Sequence, residues 1–250
     1  MRVLVLQHLA VEHPGIFRDF LRKDGVTWDT VELDQGQKIP DLEPYDLMMV
    51  MGGPQDVWQE AQYPWLVPEK AAIRKFVVDM QRPYFGICLG HQLLAAAIGG
   101  DVALGSTPEV GIMTVDKTDA GSRDPIMSTL PDPMTVLQWH GAEVKSLPAD
   151  TTILARSSAC AVQAFRYGEH AYGIQYHVEI TATTVADWAA IPEYKTALEK
   201  TLGASALPSL DAGVAARLSA FNGDAATIYA GLKAMIARQK QAANTHSYIA

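Results

Sequence analysis

Cys88 stands between two glycines in the run Tyr84-Phe85-Gly86-Ile87-Cys88-Leu89-Gly90-His91-Gln92, where a short apolar strand passes directly into a helix. This is the layout of a nucleophile elbow, a turn in which the nucleophile takes a strained backbone conformation and small neighbours let its side chain stand clear. A cysteine at a helix N-terminus also feels the positive end of the helix dipole, which favours the thiolate that attacks a carbonyl. A lone cysteine is ordinarily a small buried apolar residue. The flanking glycines and the strand-to-helix context single this one out as reactive.

Such a thiolate needs a base that later protonates the leaving amine. The run Gly173-Ile174-Gln175-Tyr176-His177-Val178-Glu179 supplies His177 near a strand end, and Glu179, two residues on, shares its face. The carboxylate is therefore placed to fix the imidazole tautomer. Alone, a His-x-Glu pair reads as surface polarity, and it gains weight beside Cys88. Other polar residues are weaker candidates. His8 ends the first strand, where ligands bind in open α/β sheets, but it reads equally as a packed loop residue. His91 reads as a helix-face residue, and Cys160 lacks an elbow. The histidines show no metal-ligand spacing, and cysteine amide hydrolysis requires neither metal nor cofactor.

The elements that must hold these residues follow from the pattern. Strands are expected at Val3 to Gln7, Trp28 to Leu33, Tyr45 to Met51 and Tyr84 to Ile87. Between them come helices opened by Pro14 and stopped at Gly25, running from Pro68 to about Met80, and running from Leu89 to Ile98. Alternation of this kind builds a parallel sheet covered on both faces, an α/β fold. From Val102 to Val178 the spacing shortens, with strands at Gly111 to Val115, Met134 to Gln138, Thr151 to Ala155, Val162 to Arg166 and Tyr172 to Tyr176. These read as an antiparallel extension and the last core strands. After Thr181 four helical stretches follow, Val185 to Ala190, Glu193 to Leu202, Ala212 to Phe221 and Ala225 to Gln241, with a frayed tail from Ala242 to Ala250. The expected division is residues 1–180 for the α/β domain and 181–250 for a helical extension that packs on the sheet, forms a homodimer contact or docks a partner.

Composition excludes several classes. The chain has 250 residues, 48% of them apolar, enough for a core of ordinary size. Its net charge of -8 offers no basic face for nucleic acid. Two cysteines make no disulfide framework and fit a reducing, cytoplasmic setting. No apolar run is long enough for a signal-peptide core or a membrane span.

Three motifs in order, Met51-Gly52-Gly53-Pro54, Gly86-Ile87-Cys88-Leu89-Gly90-His91-Gln92 and Gln175-Tyr176-His177-Val178-Glu179, together resemble the class I glutamine amidotransferases over roughly the first 180 residues. The likeness is to stand-alone proteins similar to the glutaminase domain of GMP synthase. It implies a flavodoxin-like sheet, a Cys88, His177 and Glu179 triad, and an oxyanion hole made by the backbone N–H groups of Gly53 and Leu89. It also implies substrate contacts from Gly52, Gln92, Trp139 and His140. Two departures stand out: Val178 replaces the proline often found between histidine and glutamate, and Ala142 replaces an aspartate that in the family helps hold the amino-acid end of glutamine. The neighbouring carboxylate is Glu143.

The chemistry expected is cleavage of a γ-glutamyl amide through a thioester on Cys88, with a small-molecule γ-glutamyl compound as the substrate. No phosphate-binding loop or synthetase-like segment follows Thr181. The chain therefore either acts alone on glutamine or another γ-glutamyl compound, or supplies ammonia to a separate synthetase partner. A binding protein with a silent triad is the alternative from another class.

Overall fold

The apolar alternation of the first strands sets the layers. In β1 (Arg2–Gln7), Val3 and Val5 join one core while Leu4 and Leu6 join the opposite one, as the two-residue period of a strand requires. The same alternation in β3 (Leu47–Val50) sends Leu47 and Met49 one way and Met48 and Val50 the other. The structure, a computed structural model, describes residues 1–247, with the side chains of 1–241.

A single nine-stranded sheet has the order β2-β1-β3-β4-β9-β8-β7-β5-β6, where β2 is Thr27–Glu32, β4 Tyr84–Ile87 and β9 Ala171–Ile174. These three, with β1 and β3, pair in parallel, in the flavodoxin-like arrangement whose carboxyl ends form a ligand crevice where strand order reverses. The remaining strands, β8 (Ala164–Tyr167), β7 (Thr151–Arg156), β5 (Asp101–Lys117) and β6 (Met134–Ser146), extend the sheet in antiparallel fashion. One face is covered by α1 (Phe17–Lys23) and α7 (Leu218–Ser247), which contribute Phe17, Leu21, Ile228 and Leu232 to the core. The other is covered by α2 (Leu66–Arg74, prolonged by a π turn over Lys75–Asp79) and α3 (Leu89–Ala97). A third core gathers α4 (Thr184–Ala189), α5 (Pro192–Leu202) and α6 (Leu207–Ala215) over the β5–β6 ribbon, around Trp139, Trp188 and Leu210.

Several expectations need correction. The strand expected at Gly111 to Val115 is part of a strand of 17 residues. Its first half carries Gly105, Thr107 and Pro108, which read as loop. They are tolerated because pairing with β6 slips between Leu104 and Glu109, leaving Pro108 in an irregularity where no ladder donor is needed. The helices expected at Ala212 to Phe221 and Ala225 to Gln241 divide elsewhere: α6 ends at Ala215, and α7 runs unbroken through Asn222 and Gly223. Burial of Phe221, Ala225 and Ile228 along one side holds the helix through that glycine, tertiary packing outweighing propensity. Residues 242–247, expected to fray, continue α7, while the end of that tail, 248–250, lies outside the described residues. No described helix is long and apolar enough to cross a membrane.

Candidate active site

The carboxyl ends of β1, β3, β4 and β9 converge. Cys88 follows β4 directly and caps α3, with φ +53° and ψ -105°, a positive-φ conformation that an L side chain adopts only under constraint. The constraint is visible. The Cys88 N–H donates to Ile174 O at 2.9 Å and the Gly90 N–H to Met51 O at 3.1 Å, so the elbow is tied to both neighbouring strand ends. Gly90 passes so close to β3 that a Cβ there would lie 2.1 Å from Val50 O, which no side chain can accept.

His177 lies just past β9, and its N–H donates to Leu137 O at 2.9 Å. Its Nδ1 is 2.6 Å from Glu179 Oε1, and Glu179 Oε2 accepts the Val178 N–H at 2.9 Å. Both carboxylate oxygens are thus committed, which fixes the ring and leaves Nε2 for chemistry. Trp188 packs edge-on against the imidazole, with ring centroids 4.5 Å apart. His177 and Glu179 are almost fully buried. Burial disfavours the imidazolium, but attraction to Glu179 and Cys88 outweighs it and holds the His177 pKa well above the ordinary histidine value.

A cavity of about 240 Å³ opens beside Cys88 and is lined by Gly53, Leu89, Gln92, Trp139 and His140 as well. Neither the Gly53 nor the Leu89 N–H donates a backbone hydrogen bond among the described residues. At Leu89 this is the orphan donor of a helix start. Gln92 is committed on one side, its Nε2 donating to Ala142 O at 3.1 Å and Gln175 Oε1 at 3.0 Å, so its oxygen is the group left for a ligand. His140 Nδ1 donates to Ala142 O at 2.9 Å, and its Nε2 sits 3.1 Å from Glu109 Oε2, an ion-pair distance without hydrogen-bond alignment. Trp139 Nε1 donates to Tyr194 O at 3.2 Å. Gly52 is not in the cavity wall: it is buried behind it, its carbonyl turned to His8. Glu143 pairs with Lys145 and does not line the cavity.

The opposite wall comes from α5, through Glu193, Tyr194, Ala197, Lys200 and Thr201. Asp56, half-buried on the loop after β3, completes the charged lining. Burial pushes its carboxyl above the ordinary range, and no ion pair relieves it among the described residues.

Glu12 belongs to the site although no sequence motif marks it. It sits in the loop after β1, 2% exposed, and accepts a short hydrogen bond from the Tyr194 hydroxyl. Among the described residues its Oε2 has no hydrogen-bond partner, and it faces the Cα of Gly52, where an added Cβ would stand 2.5 Å from that oxygen and 3.4 Å from His177 Cε1. Burial, opposed by attraction to His177 and the Tyr194 hydrogen bond, pushes its pKa up to about 7. Position past the end of β1 was the only available signal. The other weak candidates are packed residues. His91 is fully buried, neither ring nitrogen has a side-chain partner among the described residues, and burial drives its pKa down to about 3. Cys160 is buried, which pushes its thiol up to about 12.

A cysteine on a strained elbow, a carboxylate-clamped histidine and two backbone donors without a backbone partner among the described residues stand beside one cavity, which are the parts that acyl transfer requires. The family model for class I glutamine amidotransferases matches residues 17–187. The chain belongs to that family. Among curated relatives, it is 32% identical over 189 residues to the glutamine amidotransferase-like protein YfeJ of Salmonella typhimurium, covering 74% of this chain and 78% of that protein. It is 31% identical over 156 residues to a glutamine-hydrolyzing GMP synthase subunit of Sulfolobus acidocaldarius, covering 62% and 78%. It is also 31% identical over 170 residues to gamma-glutamyl peptidase 5 of Arabidopsis thaliana, covering 66% of each. A crystal structure of a glutamine amidotransferase from Thermotoga maritima superposes with a TM-score of 0.83 at 30% identity, covering 94% of this chain and 98% of that one. That match extends beyond residues 17–187 and takes in most of the C-terminal helices of this amidotransferase.

Proposed function

We propose that this class I amidotransferase is a free-standing, cysteine-dependent hydrolase of γ-glutamyl amides or peptides, with Cys88 as nucleophile, His177 as base and acid, and Glu179 as the orienting carboxylate. The observation that carries the reading is the shared wall: the cavity beside Cys88 is closed by α5 of the same chain. A substrate pocket completed from within supports activity without a second protein. Its charged lining of Asp56, Glu193 and Lys200 suits the zwitterionic end of a γ-glutamyl group, in place of the aspartate that Ala142 replaces.

In the proposed sequence the Cys88 thiolate attacks the carboxamide carbon and forms a C–S bond. The carbonyl oxygen takes up the negative charge against the N–H groups of Gly53 and Leu89. His177, as imidazolium, gives its Nε2 proton to the departing nitrogen as the C–N bond breaks, leaving a γ-glutamyl thioester. Neutral His177 then takes one proton from water as the oxygen attacks, and collapse breaks the C–S bond, restoring thiolate and imidazolium and releasing the γ-carboxylic acid, which loses its remaining proton to solvent.

The test is release of ammonia or amine from glutamine and a panel of γ-glutamyl amides and peptides, by the protein alone and by Cys88→Ala. Turnover that disappears in the variant supports the reading and identifies the leaving group. Absence of turnover by the protein alone, with turnover restored by a co-purified synthetase, would replace it with an ammonia-supplying role; the GMP synthase relatives are named as glutamine-hydrolyzing subunits.

A further inference from the structure

Behind the loop that carries Gly53 lies a hydrogen-bonded histidine–glutamate pair that the proposed chemistry does not touch. His8 and Glu69 are both 0% exposed. His8 Nε2 is 2.9 Å from Glu69 Oε1, and His8 Nδ1 is 2.7 Å from Gly52 O. A carbonyl oxygen only accepts, so Nδ1 carries a proton whatever the state of the rest of the ring. Trp65 stacks on the imidazole, with centroids 5.3 Å apart and planes 20° from parallel, and holds its plane. Glu69 lies in the first turn of α2, where the helix dipole favours a negative charge. Glu69 Oε2 has no hydrogen-bond partner among the described residues.

Apolar side chains of similar volume would fill this space without the desolvation that a buried ion pair incurs, so the pair is poor evidence of a stabilising role. What it does have is a grip on one peptide. In a trans peptide the C=O and the following N–H point in opposite directions. A donor that holds Gly52 O on the buried side therefore turns the Gly53 N–H to the other side, and Gly53 lines the cavity beside Cys88. The unit is clamped from further directions, since Glu12 Oε2 stands against the Gly52 Cα and Gln55 Oε1 against that of Gly53. Burial opposes a charge on His8, but Glu69 outweighs it and raises the His8 pKa. A donor backed by a carboxylate polarises the peptide it binds and makes its N–H a stronger donor.

We infer that His8, backed by Glu69 and Trp65, is a positioning residue that aims and polarises the Gly53 N–H as an oxyanion donor. This rests on the reading of Gly53 as part of the oxyanion hole. Loss of one oxyanion donor lowers kcat by about 10²–10³, and loss of its support is expected to give a smaller drop, on the order of 10 to 10² in kcat with KM little changed.

The experiment compares His8→Leu, His8→Asn and Glu69→Gln with the unaltered protein in two reactions of the same thiol. Amide hydrolysis passes through an oxyanion, whereas alkylation of Cys88 by iodoacetamide is a direct displacement that forms none. The expected result is a loss of hydrolysis in His8→Leu and Glu69→Gln, an unchanged alkylation rate in both, and partial rescue in His8→Asn, whose amide can still donate to Gly52 O. Equal falls in both reactions, or hydrolysis unaffected in His8→Leu, would overturn the inference. Should His8→Leu fail to fold, Glu69→Gln alone carries the same comparison. A readout independent of turnover is the amide proton resonance of Gly53, which is expected to move upfield in Glu69→Gln. An unmoved resonance contradicts the positioning role even if the unaltered protein hydrolyses no member of the panel, a result that would by itself refute only the hydrolase reading.

Discussion

Glu12→Gln is expected to stabilise the protein at alkaline pH while making it a poorer enzyme. Glu12 is buried beside His177 and its pKa is pushed from 4.5 up to about 7, so between those values the folded state binds more protons than the unfolded one. The associated stability is fully present below the unfolded value and is lost as pH rises through the folded value. At about 1.36 kcal/mol per unit the full loss is about 3 kcal/mol, of which roughly 2.5 kcal/mol falls between pH 5 and pH 8. A glutamine has no charge to desolvate and keeps an oxygen to accept from Tyr194. Urea unfolding of both proteins at the two pH values measures the effect: the variant gains about 2.5 kcal/mol relative to the unaltered protein on going from pH 5 to pH 8. The same substitution removes an anion whose field stabilises the His177 imidazolium, so the alkaline limb of kcat/KM moves to lower pH. A stability difference that is independent of pH, or an alkaline limb that does not move, would refute the argument.

Tyr194→Phe deletes the hydrogen bond that lowers the Glu12 pKa. The midpoint of Glu12, followed by the NMR resonance of its carboxyl carbon, is expected to rise further above the ordinary carboxylate range. Because Cys88 adopts φ +53°, Cys88→Gly is expected to be more stable than Cys88→Ala by about 1 kcal/mol in thermal or urea unfolding, and neither variant is expected to turn over substrate. Gly90→Ala places a Cβ 2.1 Å from Val50 O. It is expected to cost about 2 kcal/mol or more and to slow alkylation of Cys88 by displacing the elbow from β3.

The parallel core was legible because its strands are short apolar runs separated by Pro, Gly and helical spacing. The elbow was legible because its geometry demands glycine at 86 and 90. The pairing of His177 with Glu179 was expected from the two-residue period of a strand, and it forms although both residues lie past the end of β9. What local pattern does not encode is which distant element turns towards the site. Tyr194 and Lys200 lie on a helix that reads as a generic amphipathic stretch, and only the packing of α5 on β5 and β6 brings them to the wall opposite Cys88. Glu12 was invisible for the same reason, since a glutamate in a loop after a strand ordinarily points to water. Its burial depends on Tyr194, 182 residues away. The place of His8 at a strand end is plain in the sequence, but its partner Glu69 is 61 residues distant, and sequence spacing gives no sign of such a contact.

The central claim is that an acyl group passes through the sulfur of Cys88. Acid-quenching the protein during turnover of a γ-glutamyl substrate, followed by mass spectrometry of the Cys88 peptide, tests it most directly. The account predicts a γ-glutamyl adduct on that peptide, labile to hydroxylamine and absent from Cys88→Ala. Substrate consumption at an undiminished rate by Cys88→Ala, with no adduct on the unaltered protein, would contradict it.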